Sequence, residues 1–103
     1  IKDGVCFLSV PHTTAGITLN ENCDPAVTQD IEAALSKLVP YLDDYLHKEG
    51  NSAAHIKATL VGSTLTLLIK KGVLALGRWQ GVYFCEFDGP RERQVLVRLA
   101  GLS

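Results

Sequence analysis

Between Asp24 and Pro40 the sequence carries its strongest local signal, that of a helix. Asp24 can accept hydrogen bonds from the unsatisfied N–H groups of a first turn. Pro25 suits the first helical position because no donor is needed there. Val27, Ile31, Leu35 and Leu38 then recur at helical spacing, and Pro40 ends the pattern. An apolar stripe of this kind needs an apolar surface to lie on.

The surrounding segments read as the surface it needs. Val5–Val10 is an apolar run with β-branched and aromatic members, stopped by Pro11, and is expected to be a strand. Ile17 and Leu19 alternate with Thr18 and Asn20, which predicts a second, half-buried strand. The stretch from Tyr41 to Gly50 has no clean period and reads as a loop. A second helix is expected over Ala53–Val61, capped by Asn51 and Ser52 and stopped by Gly62. Thr64–Ile69 reads as a strand, Lys70–Lys71–Gly72 as a turn and Val73–Leu76 as the returning strand. Trp79–Phe87 reads as a long strand interrupted by Gly81, Asp88–Gly89–Pro90 as a turn, and Gln94–Leu99 as the last strand. Strands outnumber helices and short links join the later ones. The expectation is an α+β fold, an antiparallel sheet packed with two main helices, in one domain over residues 1–103.

Composition narrows the function. The net charge is −1, and the basic residues are scattered: Lys70–Lys71 belongs to a turn, while Arg91, Arg93 and Arg98 alternate like one face of a strand. No basic field recruits nucleic acid, so no nucleic-acid partner is expected. No apolar run reaches the roughly 20 residues that span a bilayer, so no membrane role is expected. Cys6, Cys23 and Cys85 are odd in number, far apart and without metal-ligand spacing. Reduced thiols in a cytoplasmic protein are the simplest reading. Cys6 and Cys85 lie in apolar runs as small hydrophobes, and Cys23, in a polar segment, is the only one worth testing for reactivity.

The side chains with chemistry to offer are three histidines. His12 follows Pro11 at a strand end, His47 lies in an acidic loop ended by glycine, and His55 falls in the first turn of the second helix. Element ends are where sites are built on a scaffold. If the three imidazoles meet, they form a zinc-type site with an open position, with Glu21, Glu49, Glu86 or Asp88 replacing or orienting a ligand. If they do not, they are three separate histidines satisfied by backbone or water. The start of the second helix, beside Asn51 and Ser52, is also suited to phosphate. Thr13 and Thr14 can add hydroxyl donors there, and Lys57, Arg78 or Arg91 can add charge; strand-edge hydrogen bonding and a solvated helix face are the plain alternatives. Trp79, between Gly77 and Gly81, is expected in the core or in a pocket wall.

Three blocks carry a resemblance to a known family: Pro11 to Pro25 (PHTTAGITLNENCDP), His47 to Lys57 (HKEGNSAAHIK), and Gly77 to Arg91 (GRWQGVYFCEFDGPR). Long, unusual in composition and in the same order, they resemble the YjbQ-like, or UPF0047, family over essentially the whole chain. The resemblance implies a trimeric α+β protein with a weak, secondary thiamine-phosphate synthase activity, a transferase reaction. That reaction joins a pyrimidine diphosphate to a thiazole phosphate and expels pyrophosphate. It implies a histidine-rich patch on His12, His47 and His55, with Asn20, Glu21, Asn51 and Gln80 nearby, able to hold a metal ion. It also implies strand-forming sequence ahead of the part equivalent to Ile1, so that this chain reads as truncated at its start.

Two functions compete on these expectations. In the first, His12, His47, His55 and Glu21 are catalytic, and Thr13, Thr14, Asn20, Asn51, Lys57, Gln80 and Arg91 bind the phosphorylated substrate. A divalent metal, zinc or magnesium, would sit on the three histidines. Histidine ligands suit zinc, whereas diphosphates usually travel with oxygen-bound magnesium. In the second, a homotrimer binds a metal or a small anionic metabolite and turns nothing over.

Overall fold

The computed structural model describes residues 1–102. Eight elements follow in the order β1 (Gly4–Ser9), β2 (Ala15–Glu21), α1 (Pro25–Leu38), α2 (Ser52–Val61), β3 (Thr64–Lys70), β4 (Val73–Leu74), β5 (Gln80–Glu86) and β6 (Leu96–Gly101). The expected α+β class holds, but the antiparallel strands divide into two sheets: β4-β3-β1-β6 and a ribbon of β2 with β5.

Local chemistry explains most boundaries. Asp24 Oδ1 accepts the Ala26 N–H at 2.9 Å, Pro25 takes the first helical position, and the chain leaves α1 at Val39. Lys71 and Gly72 have φ values of 52° and 80°, the left-handed pair of a tight hairpin between β3 and β4. Gly62 ends α2 with φ 98°. Its carbonyl accepts the Ile17 N–H at 3.0 Å, so α2 is tied to β2 by backbone. Gly16 makes that approach feasible, because a Cβ there would lie 2.7 Å from the Gly62 oxygen.

Two boundaries differ from expectation for identifiable reasons. Strand β4 stops at Leu74 rather than Leu76, because the Leu76 N–H turns back to the Leu74 carbonyl. The last strand starts at Leu96 rather than Gln94, because the Gln94 N–H donates to His12 instead of to a ladder.

The core is small and centred on β1. Cys6, Leu67 and Ile69 form one buried cluster, flanked by Leu8, Leu19, Leu65 and Leu76. Val10, Ala15 and Ile17 form a second that shares Leu8 and Leu65. Helix α2 buries Ala53, Ala54 and Ala58, and it packs on β2. Short side chains on that face let the helix sit close to the strand. Helix α1 has no fully buried residue despite its apolar stripe. Strand β6 presents Val97 and Leu99 on the face shared with Leu8 and Cys6, yet they remain 58% and 53% exposed. Phe7 and Leu68 are exposed on the opposite face. The radius of gyration is 15.8 Å, against about 13 Å for a compact chain of this size. Among the described residues no helix is long and apolar enough to cross a membrane.

Candidate functional site

The three histidines line one cavity of about 400 Å³ at the junction of the β1–β2 turn, the loop before α2, the first turn of α2 and the segment after β5. The first of these elements brings His12, Thr13 and Thr14. The second brings His47, the start of α2 brings Asn51 and His55, and the last brings Arg91. These residues, with Glu49 and Asp88 beside them, were all expected at a site from sequence, and they share one space.

Their geometry is specific. The His47 and His55 rings pack edge to face with centroids 5.4 Å apart. His12 Nε2 accepts the Gln94 backbone N–H at 2.9 Å, which places the proton of a neutral ring on Nδ1. Asn51 does not cap α2 with its side chain. Its amide donates to Asp88 Oδ2 at 2.9 Å instead, so the helix start keeps no side-chain cap. The other amide atom, Oδ1, is buried with no hydrogen-bond partner among the described residues. Arg91 donates from Nε to the Asp88 carbonyl and from Nη2 to its carboxylate, at 2.9 and 3.0 Å, leaving Nη1 uncommitted among the described residues. Its side chain is 54% exposed.

Arg93 is the keystone that sequence reasoning assigned to a strand face. It pairs through Nε and Nη2 with both carboxylate oxygens of Glu86, and Nη2 also donates to Thr14 Oγ1 at 2.9 Å. The side chain is 11% exposed. Residues 91–95 form no strand, so Arg91 and Arg93 turn into the cavity rather than alternating on a sheet. The Arg93 guanidinium holds the Glu86 carboxyl down to about 2, with the Asp88 N–H assisting. Hydrogen bonding from Asn51, then the charge and hydrogen bond of Arg91, lowers Asp88 below the usual carboxylate range. The Glu86 pair in turn raises Arg93. Asp88 was among the acids expected to replace or orient a ligand, whereas Arg93 had only a faint signal, the Asp-Gly-Pro-Arg-Glu-Arg turn dense in opposite charges.

The remaining expectations fall elsewhere. Asn20 and Lys57 line a different cavity beneath α1. Glu21 is the last residue of β2, opposite Gln80, and its carbonyl accepts from the Tyr83 hydroxyl. The Gln80 side chain closes a local turn by accepting the Gly77 N–H at 2.8 Å. Neither Glu21 nor Gln80 lines the histidine cavity. Trp79 is not core: it is 51% exposed, with the Arg78 guanidinium 4.8 Å from its ring centre. That stacking satisfies the ring at the surface. Cys6 is buried, Cys85 half-buried and Cys23 exposed.

The histidines do not meet as a ligand set. Among the described residues no three His, Cys, Asp or Glu side chains gather to hold a metal ion. The Nε2 lone pair of His12 is spent on Gln94, and the His47 and His55 rings pack edge to face. In this arrangement the site does not fit the zinc or magnesium ion expected from the sequence.

The family model described as "UPF0047 protein YjbQ-like" matches residues 1–102. The chain belongs to that family. UPF0047 protein MJ1081 of Methanocaldococcus jannaschii is 54% identical over 98% of this chain and 73% of its own length. UPF0047 protein YugU of Bacillus subtilis is 45% identical over 98% and 77%. Among solved structures, a YjbQ/UPF0047-family protein from Clostridium acetobutylicum superposes with a TM-score of 0.95 at 56% identity, covering 97% of this chain and 78% of that one. The conserved hypothetical protein TT1486 of Thermus thermophilus gives 0.91 at 52% identity, covering 94% and 78%. The YjbQ-like chain described here thus spans about three quarters of the length of these relatives.

Proposed function

We propose that the histidine-lined cavity binds a small phosphorylated metabolite, and that the weak thiamine-phosphate synthase activity implied by the family resemblance takes place there. One observation carries this reading: His12, His47, His55, Asn51 and Arg91 converge on a single cavity of about 400 Å³. That volume is in the range of small-molecule sites. The uncommitted Nη1 of Arg91 and the uncapped start of α2 both offer donors to an anion. In the coupling reaction the ring nitrogen of the thiazole attacks the methylene carbon of the pyrimidine. The carbon–oxygen bond breaks, and pyrophosphate leaves with the electron pair. Arg91 and the imidazole N–H groups serve by neutralising charge on the leaving group, since such a displacement needs stabilised pyrophosphate more than a covalent nucleophile.

Calorimetric titration with inorganic pyrophosphate tests the binding half. Binding is expected to weaken about tenfold in Arg91→Ala, the size of one charge-assisted hydrogen bond. Unchanged affinity in that variant, or no binding, overturns the reading. Pyrophosphate release from the two heterocyclic substrates tests the coupling half, and turnover equal in wild type, His47→Ala and His55→Ala overturns it.

The assembly proposed with this reading is a homotrimer. The exposed Phe7, Leu68, Val97 and Leu99 support it, because apolar sheet surface of this extent is more stable when covered. Sedimentation equilibrium is expected to give three times the chain mass, and a monomer at high concentration overturns it.

A further inference from the structure

A second cavity, of about 410 Å³, lies between α1 and the β2–β5 ribbon. It shares no lining residue with the histidine cavity. Ile31 and Leu35 of α1 form one wall, and residues of β5 and just beyond it, Tyr83 and Phe87 among them, line the other. Protein interiors normally close such space. Here a polar strut fixes the gap: the Tyr83 hydroxyl donates to the Glu21 carbonyl at 2.7 Å and lies 3.4 Å from Thr28 Oγ1. Helix α1 is thereby anchored near its first turn while its apolar stripe stays unburied.

Charges at the rim give this apolar slot a direction. Lys57 and Glu32 both line it, and neither belongs to an ion pair among the described residues. Glu86 also reaches it, but both of its oxygens are held by Arg93. Aromatic walls, one available ammonium and one available carboxylate define the complementary molecule. Its flat ring fills the slot, an anionic substituent meets Lys57, and a ring amine or N–H meets Glu32.

We infer that this cavity is a second ligand site, for a small amino-substituted aromatic anion. The inference does not depend on the function proposed for the histidine cavity. The Cys85 thiol on the same wall is pushed up by burial and by the Glu32 charge, in keeping with a water-poor slot in which Glu32 is felt.

The test uses 5-aminonaphthalene-1-sulfonate and its neutral analogue 1-naphthylamine, read by fluorescence and by amide chemical shifts of the whole chain. Saturable binding of the sulfonate is expected, with shifts centred on Lys57, Phe84 and Phe87. Lys57→Ala is expected to weaken the sulfonate at least tenfold and to leave 1-naphthylamine within about twofold. Leu35→Trp, which fills the slot, is expected to weaken both; should it disturb α1, the Lys57 comparison still decides. Equal loss of both probes in Lys57→Ala, shifts centred on His55 and Asn51 instead, or no saturable binding would each overturn the inference.

Discussion

His12 and Gln94 stand 82 positions apart, and the Gln94 backbone N–H donates to His12 Nε2 across 2.9 Å. The bond fixes the chain between β5 and β6 against the β1–β2 turn, and it sets where β6 begins. His12→Ala removes that acceptor while Gln94 stays exposed to water. The expected cost is about 0.5–1.5 kcal/mol, the net worth of one hydrogen bond. Urea unfolding measures it, and faster amide exchange at Gln94 locates it.

Glu86 gives the pH dependence a sign. Its folded value of about 2 lies below the ordinary 4.5, so the folded state holds the charged form more tightly than the unfolded state does. The stability this contributes is present above pH 4.5 and is lost as pH falls toward 2. In Arg93→Ala, a carboxyl carbon titration by NMR is expected to move Glu86 back up toward the ordinary range. The Glu86→Gln variant is expected to lose less stability than wild type across the same window.

Gly16→Ala tests the contact between β2 and the end of α2. The new methyl would meet the Gly62 carbonyl at 2.7 Å and Val61 Cγ1 at 3.1 Å. The nearer neighbour is backbone, so relief requires moving α2 off the ribbon. A loss of about 1–3 kcal/mol is expected from overpacking, with the Ile17–Gly62 hydrogen bond exchanging faster.

Asp24→Ala removes the acceptor that caps α1. The expected loss is about 1 kcal/mol. Helix α1 roofs the second cavity, so probe binding there should weaken with it, whereas pyrophosphate binding at the histidines should not. Thermal unfolding and the two titrations measured on one sample separate these outcomes.

The elements were legible in the sequence because their signals are local. Asp24–Pro25 starts a helix wherever it occurs before an apolar stripe, and a Lys-Gly pair can turn a hairpin without help from distant residues. The histidines could be placed at element ends for the same reason, and the family blocks marked their neighbourhood. Partners were not legible. Whether Asn51 caps a helix or serves Asp88, and whether Arg93 lies on a strand or clamps Glu86 to Thr14, depends on which segments the chain folding brings together. Lys57 shows the same limit: it lies two residues from His55 in α2, yet it opens into a different cavity, because residues so spaced leave a helix on different sides. By itself the sequence determined the helices, most strand positions and the family, all properties of contiguous residues. Only the tertiary structure decided that the three histidines line one cavity and that His12 serves the Gln94 N–H there, since side-chain direction and hydrogen-bond partners are set by contacts between segments far apart in the chain.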